Sequence, residues 1–172
     1  MGRRTIGRRL FGALSIEVAL LSTIGCGVAM TVYLVRHAEK QPPAPGAKPE
    51  KDPPLSEAGV RRAQALVGAM ANVNLAAVFA TQYKRTQQTV DPVAKAKGLA
   101  IEIVDAGDTP ALAARIRGLS GKAVLVAGHS NTVPEIAAAL GASDGFAIED
   151  DQFGDLFVLE PRTGWVSRGR FG

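Results

Sequence analysis

Cysteine and histidine are scarce in this sequence of 172 residues, and their scarcity excludes several kinds of site. The one cysteine, Cys26, cannot form an internal disulfide framework or a cysteine-rich zinc site. The two histidines, His37 and His129, come without clustered carboxylates and so do not make a metallohydrolase centre. We therefore expect no metal and no cofactor, and any histidine chemistry must use His37, His129 or both.

A basic excess is also missing from most of the chain, although the net charge is +4. Four arginines and one acidic residue fall within residues 1–30, which leaves 16 basic and 15 acidic side chains for the remainder. That balance excludes a nucleic-acid-binding surface as the reason for the charge. A nucleotide-binding loop is excluded as well, because Gly118–Lys122 lacks the spacing of a phosphate-binding P-loop.

Residues 1–29 are predicted to be a targeting segment that precedes the domain. Four arginines are followed by an apolar run from Leu10 to Met30, interrupted only by Glu17. The end of the run resembles either a lipoprotein signal, with Cys26 lipidated and membrane-associated, or an ordinary signal peptide cleaved after Ala29. Both predict an exported protein, whether periplasmic, extracellular or lipid-anchored. The alternative is a cytoplasmic protein whose true start is Met30.

Residues 30–172 are predicted to form one α/β domain, because β-branched strand segments alternate with helical segments. The expected architecture is a three-layer αβα fold, a mostly parallel sheet with helices on both faces. Strands are predicted at 31–35, 76–80, 100–104 and 122–127, helices at 56–70, 86–97, 110–119 and 133–140, and a closing hairpin at 156–159 and 164–166. A proline-rich loop, residues 41–54, is either a flap over the substrate carrying Lys48 and Lys51 or a stiff surface loop.

The polar motifs of this domain follow predicted strands. Arg36 and His37 come after the first strand, Arg85 soon after the second, and His129 after the fourth. Ligands in such sheets bind at the carboxyl ends of the strands. We therefore expect these four side chains to share one pocket.

The chain resembles the histidine phosphatase (phosphoglycerate mutase-like) superfamily, in its small single-domain phosphatase type. Four segments carry the resemblance in order: Leu34–Lys40 with its Arg-His-Ala core, Leu55–Gln64, Ala80–Thr89, and Val126–Ser130. The resemblance implies a phosphatase with His37 as nucleophile, Arg36 and Arg85 as the phosphate clamp, and His129 as a further donor. Planar guanidinium groups bind phosphate oxygens bidentately, and a neutral imidazole can attack phosphorus and carry the phosphoryl group. A phosphorylated small molecule or a phosphoprotein would be the substrate.

The general acid is where the chain departs from the family pattern, since it lacks the insertion in which mutase-like members carry a glutamate. Asp105 and Asp108 are candidates, but turn roles are favoured for both. Glu39 and Lys40 either line the entrance or pair with each other, and Asn131 either orients phosphate or caps a helix. The alternatives to a phosphatase are a mutase-like phosphotransferase and a non-catalytic module that binds a phosphorylated ligand.

Overall fold

The computed structural model describes residues 29–119 and 121–172. The predicted targeting segment, including Cys26, lies outside these residues except for Ala29, and it stays a prediction. None of the helices in the described ranges has the length and apolar character needed to cross a bilayer.

Six strands and four helices make up the described part of the domain, and every predicted element is present. The strands are β1 (Thr31–Arg36), β2 (Leu75–Thr81), β3 (Ile101–Val104), β4 (Ala123–Gly128), β5 (Asp155–Glu160) and β6 (Trp165–Arg170). The helices are α1 (Glu57–Ala69), α2 (Lys84–Lys97), α3 (Thr109–Arg117) and α4 (Thr132–Ala139).

The six strands form one sheet in the order β3-β2-β4-β1-β5-β6. The first four run parallel, and β5 and β6 form the predicted antiparallel hairpin against β1. Two apolar cores lie on the two faces of the sheet: one packs α3 and α4, the other α1 and α2. The predicted three-layer αβα fold is confirmed, and its parallel core brings the carboxyl ends of β1, β2 and β4 to one edge.

Helix ends follow local capping chemistry at the start of α1 and the end of α2, but not at the start of α2. The Ser56 side chain accepts from the Gly59 N–H at the start of α1, as predicted, and Gly98 ends α2 with a φ of 65°. The exception is the start of α2, which was predicted at Thr86 but lies at Lys84. Tyr83 offers no side-chain cap there; instead the carboxylate of Asp52, in the proline-rich loop, accepts from the Lys84 N–H at 3.0 Å.

Candidate active site

The four predicted site residues meet at the carboxyl edge of the parallel strands. Arg36 ends β1 opposite Gly128, the last residue of β4, and His37 donates its backbone N–H to the Gly128 carbonyl at 2.9 Å. His129 follows Gly128, so the two imidazoles lie side by side with ring centroids 5.3 Å apart. The start of α2 adds Arg85, whose Nη2 is 3.4 Å from Nδ1 of His129. The sheet topology therefore brings side chains from separate segments of the chain together in one cluster.

His37 is held in a single orientation by its own neighbour. Its Nδ1 lies 2.7 Å from the carbonyl oxygen of Ala38, which can only accept, so the ring proton resides on Nδ1. Burial lowers the pKa of His37 to about 3; the bond to Ala38 opposes this, and the charge of Arg85 adds to it. Near neutral pH the imidazole is therefore uncharged, and Nε2 carries a free lone pair, the form that a nucleophile needs.

The backbone that carries His37 is tied to α2 by a buried threonine. The Ala38 N–H donates to Thr89 Oγ1 at 2.9 Å, and the Thr89 hydroxyl donates to the Arg85 carbonyl at 2.7 Å. One side chain thus connects the segment after β1 with the helix that supplies Arg85. This link holds two of the predicted site residues in a common frame.

Arg36 is anchored by a loop between α4 and β5 that the sequence motifs did not indicate. Its Nη1 donates to the carbonyls of Glu149 at 2.7 Å and Gln152 at 3.2 Å. Its guanidinium carbon lies 4.4 Å from the centre of the Phe153 ring, and its Nη2 is 3.9 Å from the carboxylate of Asp150. Burial is the largest cause that lowers the pKa of Arg36. An acidic run beside an aromatic residue was the only sequence signal for this loop.

Arg85 has a similar setting built from other parts of the chain. Its guanidinium carbon lies 4.4 Å from the centre of the Tyr83 ring, and its Nη1 is 3.7 Å from Asp52 Oδ1. Among the residues described, the Nε–H groups of Arg85 and Arg36 are both buried and have no hydrogen-bond partner. Buried donors of this kind are costly unless something accepts from them. Two of them beside paired imidazoles suit an anion with several oxygens.

The weaker candidates from the sequence have structural partners. Asp105 accepts from the Gly107 N–H at 2.8 Å and from the Gln82 amide at 3.0 Å, and Asp108 caps α3 through the Ala111 N–H. Both are thus occupied, in keeping with the turn roles favoured for them. Asn131 stands at the N-cap position of α4, but its backbone is already helical (φ −88°, ψ −44°) and its side chain makes no capping bond. The adjacent Thr132 hydroxyl accepts from the His129 N–H.

Glu39 and Lys40 do not pair with each other, so that interpretation was wrong. The Glu39 carboxylate accepts from Arg62 in a two-pronged contact, at 2.9 Å from Nε and 2.7 Å from Nη2, and this contact lowers the pKa of Glu39. Lys40 instead forms an isolated bridge with Leu55, which closes the base of the proline-rich loop. Arg62 also donates to the carbonyl of Gly172, so this pair joins α1, the site and the chain end.

The proline-rich loop reaches the site through an acidic residue. Lys48 and Lys51 are both exposed, whereas Asp52 is half-buried between the Lys84 N–H and Arg85. Asp52 is therefore a site residue that the sequence analysis missed. In the described part of the chain, no three or more histidine, cysteine or acidic side chains group in a way that could hold a metal ion.

The sequence model of the histidine phosphatase superfamily (branch 1) matches residues 32–106. The match contains Arg36, His37 and Arg85 and ends before His129, which the sheet register brings to the same edge. The resemblance stated from the motifs is confirmed over these residues.

Solved structures of similar fold extend the comparison beyond the matched segment. The protein histidine phosphatase SixA, solved with tungstate, is 19% identical with a TM-score of 0.64 over 83% of this chain and 96% of that chain. The alpha-ribazole phosphatase of Shigella flexneri is 14% identical, with a TM-score of 0.63 over 83% and 96%. A mycobacterial glucosyl-3-phosphoglycerate phosphatase is 15% identical, with a TM-score of 0.55 over 76% and 89%. At these identities the likeness shows the fold alone. A search of the curated proteins finds no match.

Proposed function

We propose that this protein is a metal-independent phosphatase that hydrolyses phosphate monoesters or phosphoramidates through a phosphohistidine on His37. The observation that carries the proposal is the state of His37. Its Nδ1–H is held by the Ala38 carbonyl, and its uncharged Nε2 belongs to a ring set 5.3 Å from that of His129. A lone pair held in place beside two arginines is what in-line attack on a phosphoryl group requires.

The reaction has two displacement steps. Nε2 of His37 forms a bond to phosphorus while the bond from phosphorus to the leaving oxygen or nitrogen breaks. Arg36, Arg85 and His129 stabilise the negative charge on the other phosphate oxygens, which is the largest task in phosphoryl transfer. Water then attacks phosphorus, the phosphorus–nitrogen bond breaks, and orthophosphate leaves with His37 free again. The arginines supply the positive charge that a metal ion provides in other phosphatases.

Substrates with leaving groups of low pKa fit this site best. Asp105 and Asp108 are held by other partners, so neither is presented to a leaving oxygen. Aryl phosphates and phosphohistidine need little help from a general acid, whereas alkyl phosphates need a good one. The structural neighbours named above include a protein histidine phosphatase, an alpha-ribazole phosphatase and a sugar-phosphoglycerate phosphatase. A phosphorylated small molecule or a phosphoprotein is therefore the proposed substrate class.

The test combines turnover with trapping of the intermediate. Wild-type protein treated with EDTA should hydrolyse an aryl phosphate, and an alkaline denaturing quench during turnover with a labelled phosphoryl donor should retain label on His37, because phosphohistidine is stable in alkali and labile in acid. His37→Ala should show neither turnover nor label. His129→Ala is the matched control, because it removes the other histidine and keeps the nucleophile: it should label slowly but still label.

Four results would contradict the proposal. Turnover by His37→Ala would exclude the phosphohistidine, and complete inhibition by EDTA would exclude a metal-independent reaction. Phosphate binding without turnover on any of aryl phosphates, sugar phosphates, nucleotides or phosphohistidine peptides would favour the non-catalytic binding module. Transfer of the label to a second hydroxyl compound instead of water would favour the mutase-like phosphotransferase.

A further inference from the structure

A chain of buried hydroxyl groups lies behind His129, on the side away from Arg85. Nε2 of His129 is 3.0 Å from Thr81 Oγ1, and Thr81 Oγ1 is 2.8 Å from Thr86 Oγ1. The three residues are all buried, with Thr86 0% exposed, Thr81 5% and His129 8%. Thr81 ends β2 and Thr86 lies in the first turn of α2, so two elements hold the chain in place.

The direction of these hydrogen bonds follows from where the chain ends. The Thr86 hydroxyl lies 2.8 Å from the Tyr83 carbonyl and 3.1 Å from the Thr81 carbonyl, and carbonyl oxygens can only accept. The one proton of that hydroxyl is therefore donated to the backbone. Thr86 Oγ1 is left to accept, so the Thr81 hydroxyl donates to it, and Thr81 Oγ1 accepts in turn from His129.

The opposite direction leaves a contact unpaired. If the Thr81 hydroxyl donated to Nε2, the proton of Thr86 would have to turn to Thr81 Oγ1 to keep the 2.8 Å contact between the hydroxyls. Thr86 Oγ1 would then face the Tyr83 and Thr81 carbonyls with lone pairs and no proton between them. Buried acceptors that face one another in this way lose a hydrogen bond and gain repulsion.

We propose that Thr81 is a positioning residue which, with Thr86 behind it, holds His129 with its proton on Nε2 and presents Nδ1 to Arg85. The inference rests on the proposed function only in taking the space beside Arg85 as the phosphate site. It alters the part predicted for His129. With the proton on Nε2, its Nδ1 accepts from Arg85 Nη2 at 3.4 Å, and it donates to a phosphate oxygen only after taking up a proton.

The chain offers a clean spectroscopic test, since it contains two histidines. Long-range proton–nitrogen correlation on the full chain with labelled histidine, near neutral pH, reports which ring nitrogen carries the proton. Loss of one signal set in His37→Asn assigns the remaining set to His129. The expected result for wild-type protein is a protonated Nε2 and an unprotonated Nδ1 on His129. A proton on Nδ1 would overturn the proposal.

Variants at the two threonines separate positioning from packing. Thr81→Val keeps the volume and removes the hydroxyl, so the His129 signals should move to averaged values of mixed tautomers, and Thr81→Ser should restore the wild-type pattern. Thr86→Val should free the Thr81 hydroxyl to donate to Nε2 and shift the proton of His129 to Nδ1. This second variant carries the test should Thr81→Val fail to fold. Unchanged His129 signals in either folded valine variant would overturn the proposal.

Thr132 provides the matched control. It is also buried and also bonds His129, but its Oγ1 accepts from the backbone N–H at 2.8 Å and not from the ring. Thr132→Val should therefore leave the tautomer unchanged; a tautomer change there as large as that in Thr81→Val would show that any cavity or unpaired group nearby has the same effect.

Activity gives a second readout on the same variants. Loss of one buried hydrogen bond that orients His129 should lower kcat/KM about tenfold in Thr81→Val, with Thr81→Ser within about twofold of wild type. Full activity in a Thr81→Val protein with scrambled tautomers would show that the positioning has no part in the reaction. Should the wild-type protein hydrolyse no phosphate at all, the proposed function fails, while the nuclear magnetic resonance result still decides the tautomer.

Discussion

Two sides of the site, here called the Arg36 wall and the Arg85 wall, hold an arginine in a similar way but with different parts of the chain. On each wall an arginine lies 4.4 Å from an aromatic ring and within 4 Å of a carboxylate: Arg36 with Phe153 and Asp150, Arg85 with Tyr83 and Asp52. The Arg36 wall comes from a loop more than 110 residues further along the chain. The Arg85 wall comes mostly from its own turn, together with one residue of the proline-rich loop.

The difference lies in what holds each guanidinium group. Arg36 donates to two backbone carbonyls and so is tied to its loop directly, whereas Arg85 contacts the ring of His129 and a carboxylate at 3.7 Å. Arg36 is therefore both a phosphate ligand, as proposed, and a support of the fold around it. Among the contacts described, Arg85 has no comparable bond to a backbone carbonyl.

The largest expected effect is on turnover, and it should be similar on both walls. Arg36→Ala and Arg85→Ala should each lower kcat/KM about 10²- to 10³-fold, because each removes a charge-assisted donor to the transferred phosphoryl group. Steady-state kinetics on an aryl phosphate measures this loss. A loss below tenfold for either variant would remove that arginine from the proposed clamp.

The same two variants should differ in the order of the loop at 149–153. Arg36→Ala removes the donor to the Glu149 and Gln152 carbonyls, so the loop amides should exchange hydrogen faster. Arg85→Ala touches none of these groups and serves as the control. Equal exchange in both variants would show that Arg36 does not hold the loop.

Most of the frame and the beginnings of the site can be predicted from the sequence. Alternating strand and helix signals gave every element, and the strand ends placed Arg36, His37, Arg85 and His129 at one edge. These predictions succeed because hydrophobic periodicity and parallel topology are properties of short segments and of their order. How closely the Arg36 wall and the Arg85 wall approach each other is not a property of short segments.

The missed residues show where local patterns carry no information. Asp52 was missed because the proline-rich loop was interpreted from its prolines and lysines. It lies 32 residues before Lys84, whose N–H it caps, so no local pattern links the two. Thr81 and Thr86 look like ordinary strand and helix residues until β2 and β4 are side by side. A cap or a hydrogen bond between distant segments depends on tertiary contact, which no local spacing in one sequence encodes.

An effect of intermediate size, on the free energy of unfolding, should distinguish the carboxylate of Asp52 from that of Asp150. Asp52 accepts the first N–H of α2, so Asp52→Ala should lower the free energy of unfolding by about 1 kcal/mol, the usual cost of losing a helix cap. Asp52→Asn keeps an oxygen for the same bond and should restore most of the loss. Denaturant unfolding of the three proteins measures it.

Asp150→Ala is the control for that measurement. Its side chain is fully exposed and lies 3.9 Å from Arg36, so its removal should leave the unfolding midpoint unchanged. A drop for Asp150→Ala equal to that for Asp52→Ala would mean that charge near the arginines matters and the cap does not.

The smallest expected effect tests whether the aromatic rings serve the arginines or the substrate. A ring face beside a guanidinium contributes about 0.5–1 kcal/mol, so Tyr83→Leu and Phe153→Leu should each lower kcat/KM about two- to fivefold, while Tyr83→Phe keeps the ring and the activity. Both rings are half-buried, which leaves part of each able to touch a leaving group. Comparing an aryl with an alkyl phosphate separates the two roles. An equal loss on both substrates means that the ring orients its arginine. A loss confined to the aryl phosphate means that the ring stacks on the leaving group. If only one of Tyr83→Leu and Phe153→Leu shows that loss, the ring replaced in that variant is on the side of the site that faces the leaving group.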